Sequence, residues 1–402
     1  MPPATPAVTR LAEQPVVSPR LPVLIARGSV ERLTSSSGEP AWLVSGYELV
    51  RELLADPRLS RSHADPRHPV RMTQPALFGG PMGDPDAERA DHVRMRRLLT
   101  RSFSARRMES LRPRIDRIVG QVLDGMEAGG SPAGFHAAVS FPLPGLVMCE
   151  LLGISEPDRA DFLRWSEDAM HMEHPARSRA GLQSLWRCLG ATIERKHVAP
   201  GEDVISDMLA AGTADPAMSD DAVAHLASGL LFAGHGSTTA VIDRGILLLL
   251  SHTTEREALR RNPGLALQAV EEILRCASPL ERPRANRRGG LPRYASVDLD
   301  AGGARIRAGD LVMFALQDAN EDADTFRHPA HFDVAREENP HLAFSHGLHF
   351  CLGASVARME LQLLFGQLLG RFPLLHLDVP VEQLRAKAER SPGRPVEIPV
   401  AW

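Results

Sequence analysis

The chain has 402 residues, 43% of them hydrophobic, which is apolar material for a large core and a length at which a second domain has to be considered. A formal net charge of -4 and a pI of about 6.5 argue against a general nucleic-acid binder. The longest apolar run, residues 245–250, is far too short to span a bilayer, and the N-terminus has no basic-then-apolar leader pattern. Four unclustered cysteines (Cys149, Cys188, Cys276 and Cys351) fit a reducing, cytoplasmic setting without a disulfide framework. The proline-rich residues 1–22 read as a flexible arm. No composition shift marks a linker in 23–402, which is expected to form one domain.

Taken in order, residues 41–44 predict a strand and 47–55 a helix stopped by Pro57. Residues 63–86 hold five prolines and three glycines and read as a long loop. The basic segment 91–99 predicts a helix with His92 and Arg96 on one face. Amphipathic helices are expected over 111–126, 143–152, 158–172 and 177–197, with a shorter one from Asp203. Ser219, followed by Asp220 and Asp221, caps a long helix running to about Ser251.

In the middle of that helix stands Ala233-Gly234-His235-Gly236-Ser237-Thr238-Thr239. Each interior glycine costs about 1 kcal/mol relative to alanine, and serine and threonine hydroxyls compete for the backbone. The run predicts a local kink opened for function. The competing explanation is a close helix crossing that needs small residues. A helix over 266–275 places Glu272 and Arg275 three apart on one face. Residues 302–316 and 391–400 predict small β hairpins, giving a mainly α chain with a smaller β region.

The most chemically pointed stretch is 343–360, where Cys351 sits in a glycine-punctuated turn leading into a helix. A helix N-terminus stabilises a thiolate. Gly347 and Gly353 are expected to let the backbone fold closely around the sulfur. A lone cysteine is more often a small buried hydrophobe. His346, His349 and Cys351 also offer zinc-ligand chemistry, though no second Cys/His pair lies at zinc-site spacing.

As a whole string, Phe344-x-x-Gly347-x-His349-x-Cys351-x-Gly353 resembles the haem-binding signature of the cytochrome P-450 superfamily, with Ser345 where a Gly is common. The resemblance extends over most of the chain and implies that family's fold, with a long central helix over the haem and the Cys-ligand loop on the proximal side. It implies haem b as cofactor and Cys351 as its axial thiolate ligand. Phe344, His349, Gly353 and Ala233 would contact the haem, and His92 and Arg96 would bind its propionates. A further propionate arginine is Arg284 by distance from Arg275, or Arg293 by local pattern. Arg94, Arg97, Arg101, Arg106 and Arg107 would form a patch for an acidic electron donor. Met72, Phe78 and Met82, and residues 280–283, would line the substrate pocket. The Glu272–Arg275 pair would lock the core beneath the haem.

The central run resembles the family's Ala-Gly-x-acid-Thr-Thr, but Gly236 falls at the acid position and Ser237 at the oxygen-activating threonine. Thr238 is the neighbouring hydroxyl, and His235 is a substitute proton source if its side chain points at the site. The implied activity is a ferredoxin-dependent, soluble monooxygenase that hydroxylates or epoxidises a small specialised metabolite, with electrons from an NAD(P)H-dependent ferredoxin reductase. Neither nucleic acid nor membrane is an expected partner. The altered pair motivates a second reading, oxidative coupling or ring formation on an aromatic or cyclic-dipeptide substrate. A haem sensor without turnover is the third.

Overall fold

The computed structural model describes residues 28–35, 38, 40–63, 85–171, 174–212, 218–277, 290–384 and 397–402. Met72, Phe78, Met82, residues 280–283, Arg284, the arm 1–22 and the turn at 391–393 lie outside them.

Near the N-terminus, β1 (Val30–Thr34), β2 (Pro40–Val44), α1 (Tyr47–Leu54) and β3 (Leu59–Ser60) precede a helical body. That body holds α2 (Pro85–Leu99), α3 (Ala105–Gly129), α4 (Pro142–Leu152), α5 (Arg159–Met170), α6 (Pro175–Val198), α7 (Val204–Gly212) and α8 (Asp220–Ser251), with the short strand β4 (Ala133–Gly134) after α3. It is completed by α9 (Thr253–Arg261) and α10 (Ala266–Cys276). Strands β5 (Leu291–Ala295), β6 (Leu299–Ala301), β7 (Ala304–Ile306) and β8 (Leu311–Phe314) follow, then α11 (Leu316–Asn320), α12 (Ala354–Arg371), β9 (His376–Leu377) and β10 (Pro399–Ala401). Among the described residues no helix is long and apolar enough to cross a membrane.

Helix limits follow local chemistry. Ser219 Oγ accepts from the Ala222 N–H at 3.3 Å, so the predicted cap of α8 is made. α2 begins at Pro85, well before the predicted residue 91, because proline is favoured at a first helical position and Asp86 and Glu88 complement the dipole there. In α3 the buried Leu111, Ile115, Ile118, Val119 and Val122 repeat at three and four residues and turn one face to the core.

The main core is built by α3, α4, α6, α8, α10 and α12. A smaller core lies between the sheet and α1, with Val44, Val50, Val312, Phe314 and Phe326 fully buried. The sheet has the order β1-β2-β8-β5-β3, with β2 and β8 parallel and the other neighbours antiparallel. The predicted hairpin is β6–β7, turned by Gly302 and Gly303 at positive φ.

Glu272 and Arg275 on α10 are both fully buried and joined by a two-pronged bond at 2.7 and 2.8 Å. Arg275 also donates to the carbonyls of Asn320 and Pro329, and Arg336 Nε donates to Glu272 Oε2 at 2.9 Å. The pair is therefore the centre of a buried network tying α10 to the segment before the Cys351 loop.

Candidate functional site

The Cys351 loop is closed by its own backbone: the Cys351 N–H donates to the Phe344 carbonyl at 2.9 Å and the Phe350 N–H to Gly347 at 3.1 Å. Ser345 (φ 63) and Gly347 (φ 71) are both left-handed. Ser345 holds this conformation with a side chain, at a cost of about 1–2 kcal/mol, and its Oγ is buried without a partner. At Gly347 a Cβ would also meet Leu54 O at 2.9 Å. The expected reason for these glycines is thus corrected: Gly347 admits α1, whereas a Cβ at Gly353 would meet nothing within 4 Å.

Cys351 is exposed and lies three residues before α12. Protein atoms crowding the sulfur push its thiol up, while the Gly353 N–H, then Arg96 and Arg358, act the other way. Arg358 stands 4.5 Å from the centre of the Phe344 ring and bonds both Glu271 oxygens at 2.8 Å. The loop's entry is therefore held from α10 and α12 together.

On the other flank α2 meets the loop through the residue pair on its face. His92 Nε2 donates to the Leu348 carbonyl at 3.1 Å and Arg96 Nη1 to the Phe350 carbonyl at 2.7 Å. The His349 ring lies against His92, 4.3 Å between centres, and His349 Nδ1 is buried without a partner. Burial, then the charges of Arg293, Arg61 and Arg96 and the nearby His92, hold His349 down at about 3. Arg293 is lowered to about 10, by burial first and by Arg61 next, with Glu88 acting in opposition. The site thus gathers His92, Arg96, Arg293 and His349 from three separate segments.

Ligand atoms of Glu88, His92 and His349 lie within 4.8 Å of one another. Arg293, Arg61 and Arg96 act on His349, and Arg61 and Arg96 on His92, so the local field favours an anion over a metal cation. Neither His346 nor Cys351 joins a metal-type cluster among the described residues, and the zinc alternative is not formed.

Next to the loop, Val93, Leu348 and Phe350 are exposed, as are Arg97, Arg101 and Arg106. Arg107 of the expected patch instead pairs with Glu202 at 3.3 Å.

The central run of α8 corrects two expectations. No opened kink occurs, because Asp220–Ser251 is one uninterrupted helix. Ser237 Oγ donates to the Ala233 carbonyl at 2.6 Å and Thr239 Oγ1 to His235 at 3.0 Å, so the hydroxyls bond back to the helix without breaking it. Gly234 serves the crossing with α4, where a Cβ would fall 2.7 Å from Met148 Sδ, as does Gly145 on α4, where one would fall 3.1 Å from His235. His235 is 1% exposed, donates from Nε2 to the Phe141 carbonyl at 2.8 Å, and is pushed down to about 4 by burial. It is neutral and committed to the α4 side, so it is no proton source for Ser237. Ala233 is exposed, Gly236 and Ser237 are half-buried and Thr238 is buried, so Thr238 does not share the open face of Ala233.

Comparison with known proteins bears on the family and the fold. The "Cytochrome P450" family model matches residues 192–388. Pentalenolactone synthase of Streptomyces exfoliatus is 38% identical over 391 residues, covering 96% of this chain and 96% of that protein. The substrate-free structure of PimD, a polyene macrolide antibiotic pimaricin epoxidase, matches with a TM-score of 0.84 at 35% identity over 97% of both chains. That of SgvP, a putative thioether synthase in the tailoring of griseoviridin, matches at 0.80 and 36% over 93% of both. The chain belongs to the cytochrome P-450 family.

As a cytochrome P-450 it is an oxidoreductase of haem-thiolate type, and its residues suit that group. A buried guanidinium at Arg293, an unpartnered Nδ1 at His349 and unfilled space beside Gly353 fit a flat cofactor bearing carboxylates. Sequence reading reached His92, Arg96, Arg293 and His349 through the resemblance. It missed Arg358, whose helical spacing from the loop was a usable signal, and Arg61, for which no local signal exists.

Proposed function

We propose that this cytochrome P-450 holds haem b through Cys351, with His92, Arg96, Arg293 and His349 around the propionates, and hydroxylates or epoxidises a small specialised metabolite. When bound, the haem supplies dioxygen activation, the cysteinate pushing electron density onto iron and favouring O–O cleavage. The observation that carries the reading is Cys351 in a pinned loop beside an arginine-rich flank that accommodates an anion. The names of its relatives support the reaction class: one is a macrolide epoxidase and another a synthase of a specialised metabolite.

The chain's own residues then bind and orient. Phe344 and Arg358 fix the loop's entry, and His92 and Arg96 hold its carbonyls. Ser237 Oγ donates to Ala233 and so offers lone pairs only; to pass a proton from that atom it must release the Ala233 carbonyl. Val93, Leu348 and Phe350, with Arg97, Arg101 and Arg106, suit an acidic ferredoxin supplied by an NAD(P)H-dependent reductase.

The test is the spectrum of the reduced, CO-bound protein. A thiolate-type band is expected in the wild type and is lost in Cys351→Ser; an unchanged spectrum in the variant would refute the ligand assignment. A titration of the ferric protein against terpenoids, macrolides and fatty acids then identifies the substrate class by its high-spin shift.

One observation favours a second reading. Gly236 leaves no carboxylate at the family's acid position, and Ser237 Oγ is engaged with Ala233, which suits oxidative coupling or ring formation. Product mass decides between them: gain of one oxygen for the first, loss of two hydrogens for the second.

A further inference from the structure

Arg293 is a buried charge that lacks a counterpart. It is 6% exposed, its guanidinium donates to the neighbouring Pro292 carbonyl at 2.7 Å, and no carboxylate among the described residues stands within ion-pair distance of it. A buried guanidinium so placed is costly without an anion.

β3 lies antiparallel to β5, with Leu59 opposite Ala295 and Ser60 opposite Tyr294. Arg61 is the first residue beyond β3; the same register continued by one residue sets it opposite Arg293, and its charge acts on both Arg293 and His349. Like charges directly opposite one another destabilise a sheet, the more so when one is buried. Glu88 on α2 is held to this strand by Ser60 Oγ at 3.2 Å. With the imidazoles set aside, Arg61, Arg96 and Arg293 face one carboxylate, so two positive charges remain uncompensated among the described residues. Haem b brings two carboxylates.

We propose that Arg61 is a haem-carboxylate-binding residue that acts across the β3–β5 pair with Arg293, and that Glu88 is the internal carboxylate opposing it. The inference rests on the haem-thiolate reading of the site. It assigns to the end of β3 a role in cofactor retention, and it gives opposite signs to two neighbouring charges.

The test is haem transfer from the haem-loaded protein to excess apomyoglobin, followed in the Soret band for wild type, R61Q, R61K and E88Q. R61Q is expected to lose haem about tenfold faster, the ratio given by about 1.4 kcal/mol, and R61K to stay within about twofold of wild type. E88Q is expected to lose haem more slowly than wild type. A purely structural role for this strand would speed loss in both R61Q and E88Q, and that result overturns the proposal, as does wild-type retention in R61Q. If R61Q does not accumulate, E88Q decides: slower loss supports the proposal, and unchanged or faster loss overturns it. Failure of the wild type to take up haem would overturn the haem reading itself, and this inference with it.

Discussion

The position a Cβ would take at Gly347 lies 2.7 Å from the Cα of Ala55. The Cys351 loop is thus pressed against the end of α1, and its shape is set partly from outside. Gly347→Ala adds left-handed strain of about 1–2 kcal/mol and an overpacking cost of about 1–3 kcal/mol. A fall of about 2–5 kcal/mol in unfolding free energy is expected from urea titration. Gly353→Ala, with open space and an ordinary φ, is expected to change stability by less than about 0.5 kcal/mol while altering the reduced CO spectrum. Equal costs at both glycines would contradict this division between a packing glycine and a site glycine.

Gly236 has room for a carboxylate, since the nearest atom to its added Cβ is Met170 Sδ at 3.7 Å. Gly236→Asp restores the family's acid beside Ser237 and is expected to raise the share of NAD(P)H recovered as product. Ser237→Ala removes the hydroxyl and is expected to raise the share lost as peroxide, with little change in stability because only a bond back to the helix disappears. The measurement is the ratio of peroxide to product per NAD(P)H consumed. If neither variant moves that ratio, this stretch of α8 does not serve oxygen activation.

Arg275→Ala leaves Glu272 buried with one charge partner fewer and strips the Asn320 and Pro329 carbonyls of a donor. Breaking a buried pair in this way costs about 3–5 kcal/mol. The variant is expected to accumulate poorly as folded protein, and the yield of haem-loaded protein from matched cultures measures it. Arg275→Lys is expected to recover little, because the five acceptor oxygens around the guanidinium need its planar fork.

Acid is expected to weaken the protein before the carboxylate range is reached. Burial holds His235 at about 4 against an ordinary 6.5, so the unfolded chain binds the proton more readily between those values. The stability due to neutral His235 is present above 6.5 and is lost as pH falls toward 4, at about 1.4 kcal/mol per pH unit. His136 runs the other way. Burial lowers it, but the Asp243 bond and the charges of Asp243, Glu397 and Glu167 together outweigh burial and raise it, so its contribution is present below 6.5 and fades as pH rises through the raised value. Urea midpoints from pH 7.5 to 4.5 should fall in the wild type and fall less in His235→Gln. Parallel curves would show that His235 is not the source.

What could be read beforehand depended on how local the cause was. The limits of α8 and the Cys351 loop are written in contiguous residues, a serine cap in one case and a spaced string of Phe, Gly, His and Cys in the other. The expected kink gave way to the competing explanation, a close helix crossing, because poor helix propensity does not by itself interrupt a packed helix. Gly234 answers to Met148 on a different helix, and the hydroxyls of Ser237 and Thr239 find acceptors one turn back. The start of α2 carried a signal in Pro85 and Asp86 that the surrounding prolines obscured. Arg61 could not be found at all from sequence, because its place beside Arg293 exists only through a strand register linking residues more than two hundred apart.

The parallel pairing of β2 with β8 has a consequence for how the protein is made. Residues 41–44 pair with β1 on one side but find partners for their other edge only at 311–314, Trp42 Nε1 finds its acceptor on Asp310 at 2.8 Å, and the Tyr47 hydroxyl finds its own on Pro340 at 2.6 Å. On the ribosome the first strands therefore emerge with an unpaired edge and an apolar helix face, and stay so until most of the chain has been synthesised. Such distant closure is slow, and until β8 and the Cys351 loop arrive the outer edge of β2 is open to wrong pairing.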